Sequence, residues 1–215
     1  MPLSVFGTKP INSIYLPDAP YAIRNDCSLG RWKVGDDDHR ASELQMSIIR
    51  VSKFFGSLGK ATNVPWLQVW FIPAPGCKEF PKNTVCVTYL KTRSVSHFSQ
   101  RITELMEAGE PARGIFVGSF EKHSNDAGIY YSVKWGWRER QGQEEADQLE
   151  MVEDFLADEP PLIDLNGTRD MVCIDGWRVT DIVALVEART QPLLVSGSMT
   201  PPESKIQVGL GKARF

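Results

Sequence analysis

Apolar and polar positions alternate with a period of two in five stretches of the middle of the chain, and with a helical period in three others. The clearest alternation is Pro65-Trp66-Leu67-Gln68-Val69-Trp70-Phe71-Ile72-Pro73, six aromatic, apolar or β-branched residues and one glutamine between two prolines. Leu67, Val69 and Phe71 share one face and call for a core, while Trp66, Gln68 and Trp70 share the other. A polar Gln68 between two indoles reads either as a partly wet binding platform or as a face packed under a neighbouring helix or loop.

Gln45–Phe55 is an expected strand in which Ile49 and Val51 alternate with Arg50 and Ser52. A third strand is expected at Thr84–Leu90, with Val85, Val87 and Tyr89 turned inward. From Val95 the period changes: Val95, Phe98, Ile102, Leu105 and Met106 recur at helical spacing, Ser94 or Ser96 can cap the start, and Gly109 and Pro111 end it. Two strands follow, Ile115–Phe120 and Ile129–Arg138, divided by a polar turn cluster from Lys122 to Gly128. In the last one Tyr131, Val133, Trp135 and Trp137 share a face; Tyr130, Ser132, Lys134, Gly136 and Arg138 share the other. Residues 143–158 read as an amphipathic acidic helix with a stripe of Leu149, Val152 and Leu156. A short strand at Met171–Ile174 and a helix near Thr180–Ala188 come next.

These elements divide the chain into an irregular segment over 1–44, a β domain over 45–142, a helical extension over 143–190 and a flexible tail over 191–215. Tyr21–Ile23 and Leu29–Val34 are candidate short strands within the first segment. The expected fold is mainly β with helices: a five-stranded antiparallel OB-fold-like barrel with one helix between strands three and four, plus a C-terminal helical extension. Another small meander sheet crossed by one helix satisfies the same element order.

Charge changes this picture because it is unevenly spread. The net charge of −3 resolves into +5 over residues 1–142, −10 over 143–175 and +2 over 176–215. A basic body beside an acidic block points to a polyanion-binding body with an acidic appendage, or to a solvated helix face. No run of 18 apolar residues and no leader-like start occurs, so a cytoplasmic protein without a membrane span is expected. Cys27, Cys77, Cys86 and Cys173 have no framework spacing and read as free thiols in a reducing compartment.

Candidate catalytic chemistry is sparse. Asp36-Asp37-Asp38-His39 clusters potential ligands, but consecutive side chains diverge and no distant group completes a metal site. Gly56–Asn63 resembles a phosphate loop superficially, yet Phe54 and Ala61 stand where that motif needs Gly and Ser/Thr. No nucleophile–base pair is visible, so neither an enzyme nor a cofactor is expected.

The element order, together with Trp66, Trp70, Arg50, Lys134 and Arg138, resembles the OB-fold single-stranded-DNA-binding proteins of phages and plasmids over about residues 45–140. That resemblance implies a non-catalytic protein binding single-stranded DNA or RNA. Arg50, Lys53, Lys60, Lys91, Arg93, Lys134 and Arg138 would meet phosphates, and Trp66, Trp70 and Tyr130 would stack on bases. Bacterial relatives of that family end in an acidic stretch and a phenylalanine; here Phe215 follows Lys212 and Arg214, against recruitment of that kind. The alternative is a protein-interaction module using the Trp face, with a homodimer left open.

Overall fold

The computed structural model describes residues 13–126 and 128–190. Its centre is one strongly curled sheet, a half-barrel, with three helices around it. In chain order the strands are β1 (Tyr21–Asp26), β2 (Arg31–Val34), β3 (Asp38–Ala41), β4 (Leu44–Leu58), β5 (Ala61–Pro73), β6 (Cys86–Lys91), β7 (Ile115–Asn125), β8 (Gly128–Arg138) and β9 (Met171–Cys173). The helices are α1 (Arg93–Met106), α2 (Gly142–Ala157) and α3 (Val179–Thr190). The sheet runs β3-β2-β1-β6-β5-β4-β7-β8, with β9 joined separately to β4.

This corrects the expected five-stranded barrel. The first segment contributes three strands, two of them at the expected short strands Tyr21–Ile23 and Leu29–Val34, and α1 lies between the sixth and seventh strands rather than the third and fourth. The edge of β6 that could have closed a small barrel is taken by β1, which pairs with it in parallel through Tyr21↔Cys86 and Ala22↔Val87. Local pattern gave no sign of this, because a parallel pair between distant segments leaves no turn signature. The expected tail and terminal Phe215 lie outside the described residues.

Inside the curl is one core. Leu67, Val69 and Phe71 of β5 meet Ile23, Trp32, Met46, Phe116, Val133 and Trp135 from both ends of the sheet. Trp32 spans the curl: its Nε1–H donates to the Gly118 carbonyl at 2.9 Å, and its ring lies against Phe120. Gly118 is required there, because a Cβ would sit 2.8 Å from the indole. Helix α1 fills the remaining mouth with Phe98 and Leu105. It also seals an edge of β8: Ser94 Oγ accepts from Val133 N–H at 3.0 Å, and His97 Nδ1 lies 3.2 Å from the Val133 carbonyl. Ser94 or Ser96 was expected as the helix cap, yet the N-cap is Thr92 and makes no side-chain capping bond. A backbone donor on an exposed strand edge outcompeted the helix end for the Ser94 hydroxyl.

Outside the curl, Trp70, Ile72, Val85 and Val87 form a second core with Val152 of α2, Leu162 and Ile14. Phe54, Trp66 and Met171 make a third. Both faces of β5 are therefore buried. The acidic helix docks by charge as well as by burial: Lys82 pairs with Glu144 at 2.6 Å, Arg113 with Glu153 at 2.8 Å and Arg138 with Glu145 at 2.6 Å. Its inward stripe is Gln148, Met151, Val152 and Phe155, rotated from the expected one, and Leu156 is exposed. No helix among the described residues is long and apolar enough to cross a membrane.

Candidate functional site

Trp66 and Trp70, the expected stacking platform, are 7% and 0% exposed. That expectation is corrected, and Gln68 shows why. It is no marker of a wet face but the middle of a buried hydrogen-bond chain. Trp70 Nε1–H donates to Gln68 Oε1 at 2.8 Å, Gln68 Nε2 to Tyr89 Oη at 2.7 Å, and Tyr89 Oη–H to Asp164 Oδ2 at 2.8 Å. Burial raises the Tyr89 pKa first of all, keeping the phenol a donor. The partner, Asp164, comes from a segment roughly 95 residues downstream of the strand, which strand alternation alone does not reveal.

Arg138 is likewise committed. Its guanidinium grips Glu145 through Nη1 and Nη2 at 2.8 and 2.6 Å and reaches Gln45 Oε1 at 2.7 Å. That contact raises the Arg138 pKa and holds the Glu145 carboxyl below the usual range. Arg138 is thus a fastener for α2. Tyr130 is half-buried against the His123 ring, with centroids 5.1 Å apart. Arg93 Nη1 lies 2.7 Å from His123 Nδ1, and the Lys91 ammonium lies 5.7 Å from the Trp66 ring centroid. Arg50, Lys53, Lys60 and Lys134 are exposed and make no salt bridge among the described residues. Asp36 and Asp38 are paired with Arg24 and Arg40, and His39 with Asp26.

The sequence did not disclose the feature that now stands out, a gap in the pairing of β4. Strand β7 pairs with it only over Leu44–Met46, and β9 only over Phe54–Gly56. Between them, over residues 47–52, no strand among the described residues pairs with β4 on the side away from β5. Lys53 fixes which groups face the gap: its N–H donates to Asp175 Oδ1 at 2.7 Å and its carbonyl accepts from Ile174 N–H at 2.9 Å, both away from β5. By strand alternation Val51, two residues earlier, turns its own N–H and C=O outward too. A register shift between Ile48 and Arg50 sets this parity. Val51 is 38% exposed.

A groove of about 480 Å³ runs along this open edge. Its floor is Leu67, Phe98, Ile102 and Phe116, its far wall Pro111 and Ala112, and its lip Ile48 to Lys53 of β4. The lining is mostly apolar, and Arg50 and Lys53 flank the exposed edge. No family model, curated protein or solved structure matches the chain. The reading of this groove therefore rests on its own geometry.

Chemically the groove offers three things in one place. It has backbone donors and acceptors spaced as in a strand, apolar pockets on the side to which Val51 points, and two cations at the rim. A second, polar pocket lies on the other side of α1, against β7 and β8.

Proposed function

We propose that this protein is a non-catalytic binding module that takes up an extended polypeptide segment by strand addition to the open edge of β4. The observation that carries this is the unpaired stretch at Val51 lying directly beside an apolar groove. A strand added there would find main-chain partners, and its alternate side chains would enter the groove. Arg50 and Lys53, without carboxylate partners among the described residues, select a segment whose apolar residues are interspersed with Asp or Glu. The four cysteines are free thiols, in keeping with a reducing, cytoplasmic setting.

Single-stranded nucleic acid is the second reading. What favours it is that Arg50, Lys53 and Lys60 all project from the β4–β5 hairpin without an ion-pair partner among the described residues. Backbone phosphates would then be met by charge alone, without the two buried indoles, and affinity would fall steeply with salt.

The two readings part in one experiment. A fluorescein-labelled decapeptide of alternating Val and Glu, and a labelled oligo-dT 20-mer, are titrated by anisotropy at two salt concentrations. The peptide is expected to bind and to lose binding in Val51→Pro, which removes the outward N–H. Binding of oligo-dT alone, unaffected by Val51→Pro and abolished by added salt, would overturn strand addition in favour of the second reading.

A further inference from the structure

The open edge at Val51 lies within reach of the chain's own C-terminal segment. Helix α3 ends close by: the Arg189 carbonyl accepts from Asn63 Nδ2 at 2.8 Å, and Arg189 Nη1 donates to the Asp170 carbonyl at 3.4 Å. The Asp170 carbonyl also accepts from Ser57 N–H at 3.3 Å. Arg189 is therefore held at the end of the gap that β9 closes, and the chain continues from its neighbour Thr190. From Ser57 back to Val51 along β4 is about 20 Å of strand. Residues 191–205 then precede Ile206. At about 3.3–3.6 Å per residue they can reach roughly 50 Å, more than the distance needed.

Ile206-Gln207-Val208-Gly209-Leu210 carries the period-two pattern that the groove reads, with three apolar side chains on one face and neither proline nor charge between them. Leu193-Leu194-Val195, directly after Pro192, is apolar but does not alternate. Lys205 and Lys212 bracket the alternating stretch, and beside Arg50 and Lys53 their like charge weakens the match. Attachment compensates, because a tethered segment acts at an effective concentration in the millimolar range. The result is a weak occupant kept in place by linkage, which an acidic segment from another protein displaces. Other occupants fit less well. A second copy pairing β4 with β4 would set Arg50 and Lys53 against themselves. Residues 1–12 join the fold just before Tyr15, which pairs beside β6, two strands away from the open edge.

We propose that residues 206–210 add as a strand to the β4 edge of the same molecule, with Ile206, Val208 and Leu210 in the groove, and hold the site until an acidic segment displaces them. The inference rests on the strand-addition reading and names what regulates that same groove.

The test uses the full ¹⁵N-labelled chain and reads two quantities, hydrogen exchange of the Val51 amide and the Kd of the labelled Val/Glu decapeptide. The Val51 amide is expected to exchange about tenfold faster in the triple variant Ile206→Ser, Val208→Ser, Leu210→Ser than in the parent. Gln207→Thr, on the opposite face, should leave it slow. The triple variant should also bind the decapeptide about tenfold more tightly, as a segment of ~0.1 mM affinity at ~1 mM effective concentration requires. Lys205→Glu with Lys212→Glu should do the reverse and weaken capture. Equally fast exchange in parent and triple variant, with one decapeptide affinity for both, would overturn the intramolecular occupant and leave strand addition standing. Fast exchange in both with no capture by either would sink the strand-addition reading itself, and this proposal with it. Protection that persists in the triple variant, or that grows with protein concentration, would assign the edge to another segment or to a second copy and likewise overturn the proposal.

Discussion

The β4–β5 hairpin meets the rest of the chain in two contrasting ways. On its outer face Trp70 and Gln68 lie under α2 and Leu162, every polar atom in the chain from Trp70 to Asp164 finds a partner, and the cations nearby are tied to Glu144, Glu145 and Glu153. Along its free edge, at Val51, the same strand leaves main-chain groups facing a groove and two cations without ion pairs among the described residues. Arg50 is opposite Trp70 in the ladder, and Val51 is opposite Val69. What distinguishes the two regions is which distant segments fold back on them.

The largest expected effect comes from the sealed face. Trp70→Ala should destabilise the fold by ~3–5 kcal/mol in urea denaturation, similar to Phe71→Ala, because both side chains are fully buried. A Trp70→Ala protein as stable as the parent would mean that α2 does not cover this face in solution, and the contrast would collapse. Next comes Gln148→Leu. Its amide donates to the Pro73 carbonyl at 2.9 Å and to Asn83 Oδ1 at 3.3 Å, and its Oε1 accepts from Ser47 Oγ at 3.2 Å. Leaving those buried groups unpaired should cost about 1–3 kcal/mol. An unchanged denaturation midpoint would show that water replaces the amide.

The docking of α2 also carries a pH signature. Arg138 holds the Glu145 carboxyl below its unfolded value, so the pair contributes stability above the ordinary carboxylate range and loses it as pH falls through the lowered value. Arg138→Gln should accordingly flatten the fall in melting temperature on acidification below about pH 4.5. A variant and parent whose acid profiles stay parallel would show that the pair contributes nothing there.

How much of this was legible beforehand follows from the range of each interaction. The inward face of β5, the helix α1 and the β7–β8 pairing depend on periods of two and 3.6 within a few residues, and these were legible in Leu67, Val69, Phe71, Phe98 and Val133, although β7 runs on to Asn125 through residues expected as a turn. The fate of Trp70 depended on Asp164 and Val152, and the parallel pairing of β1 with β6 on contacts more than 60 residues apart. Gln68 misled because alternation cannot distinguish a polar residue facing water from one facing a buried phenol. The charge asymmetry did carry a usable signal, since the acidic helix pairs with the body's own cations. The open edge at Val51 had none: a strand of 15 residues looks continuous, and only the shortness of its pairings with β7 and β9 creates the gap.

The smallest stability effect is expected at that edge, and it tests the contrast most directly. Val51→Pro removes an N–H that points away from β5 into the gap. Proline is tolerated on strand edges where its nitrogen faces away from the ladder. The change should therefore cost below about 1 kcal/mol in urea denaturation, far less than proline in the middle of a paired strand, where a ladder bond is lost. Yet the same substitution should abolish capture of the Val/Glu decapeptide, since a strand entering the groove would lose its donor and meet the pyrrolidine ring. Arg50→Gln with Lys53→Gln gives the complementary result: a stability change within about 0.5 kcal/mol, as for exposed charges without partners, and weaker, less salt-dependent binding of the acidic peptide. If Val51→Pro instead unfolds the chain to the degree of Trp70→Ala, the edge is paired in solution, and the gap between β7 and β9 is no place for a strand to enter.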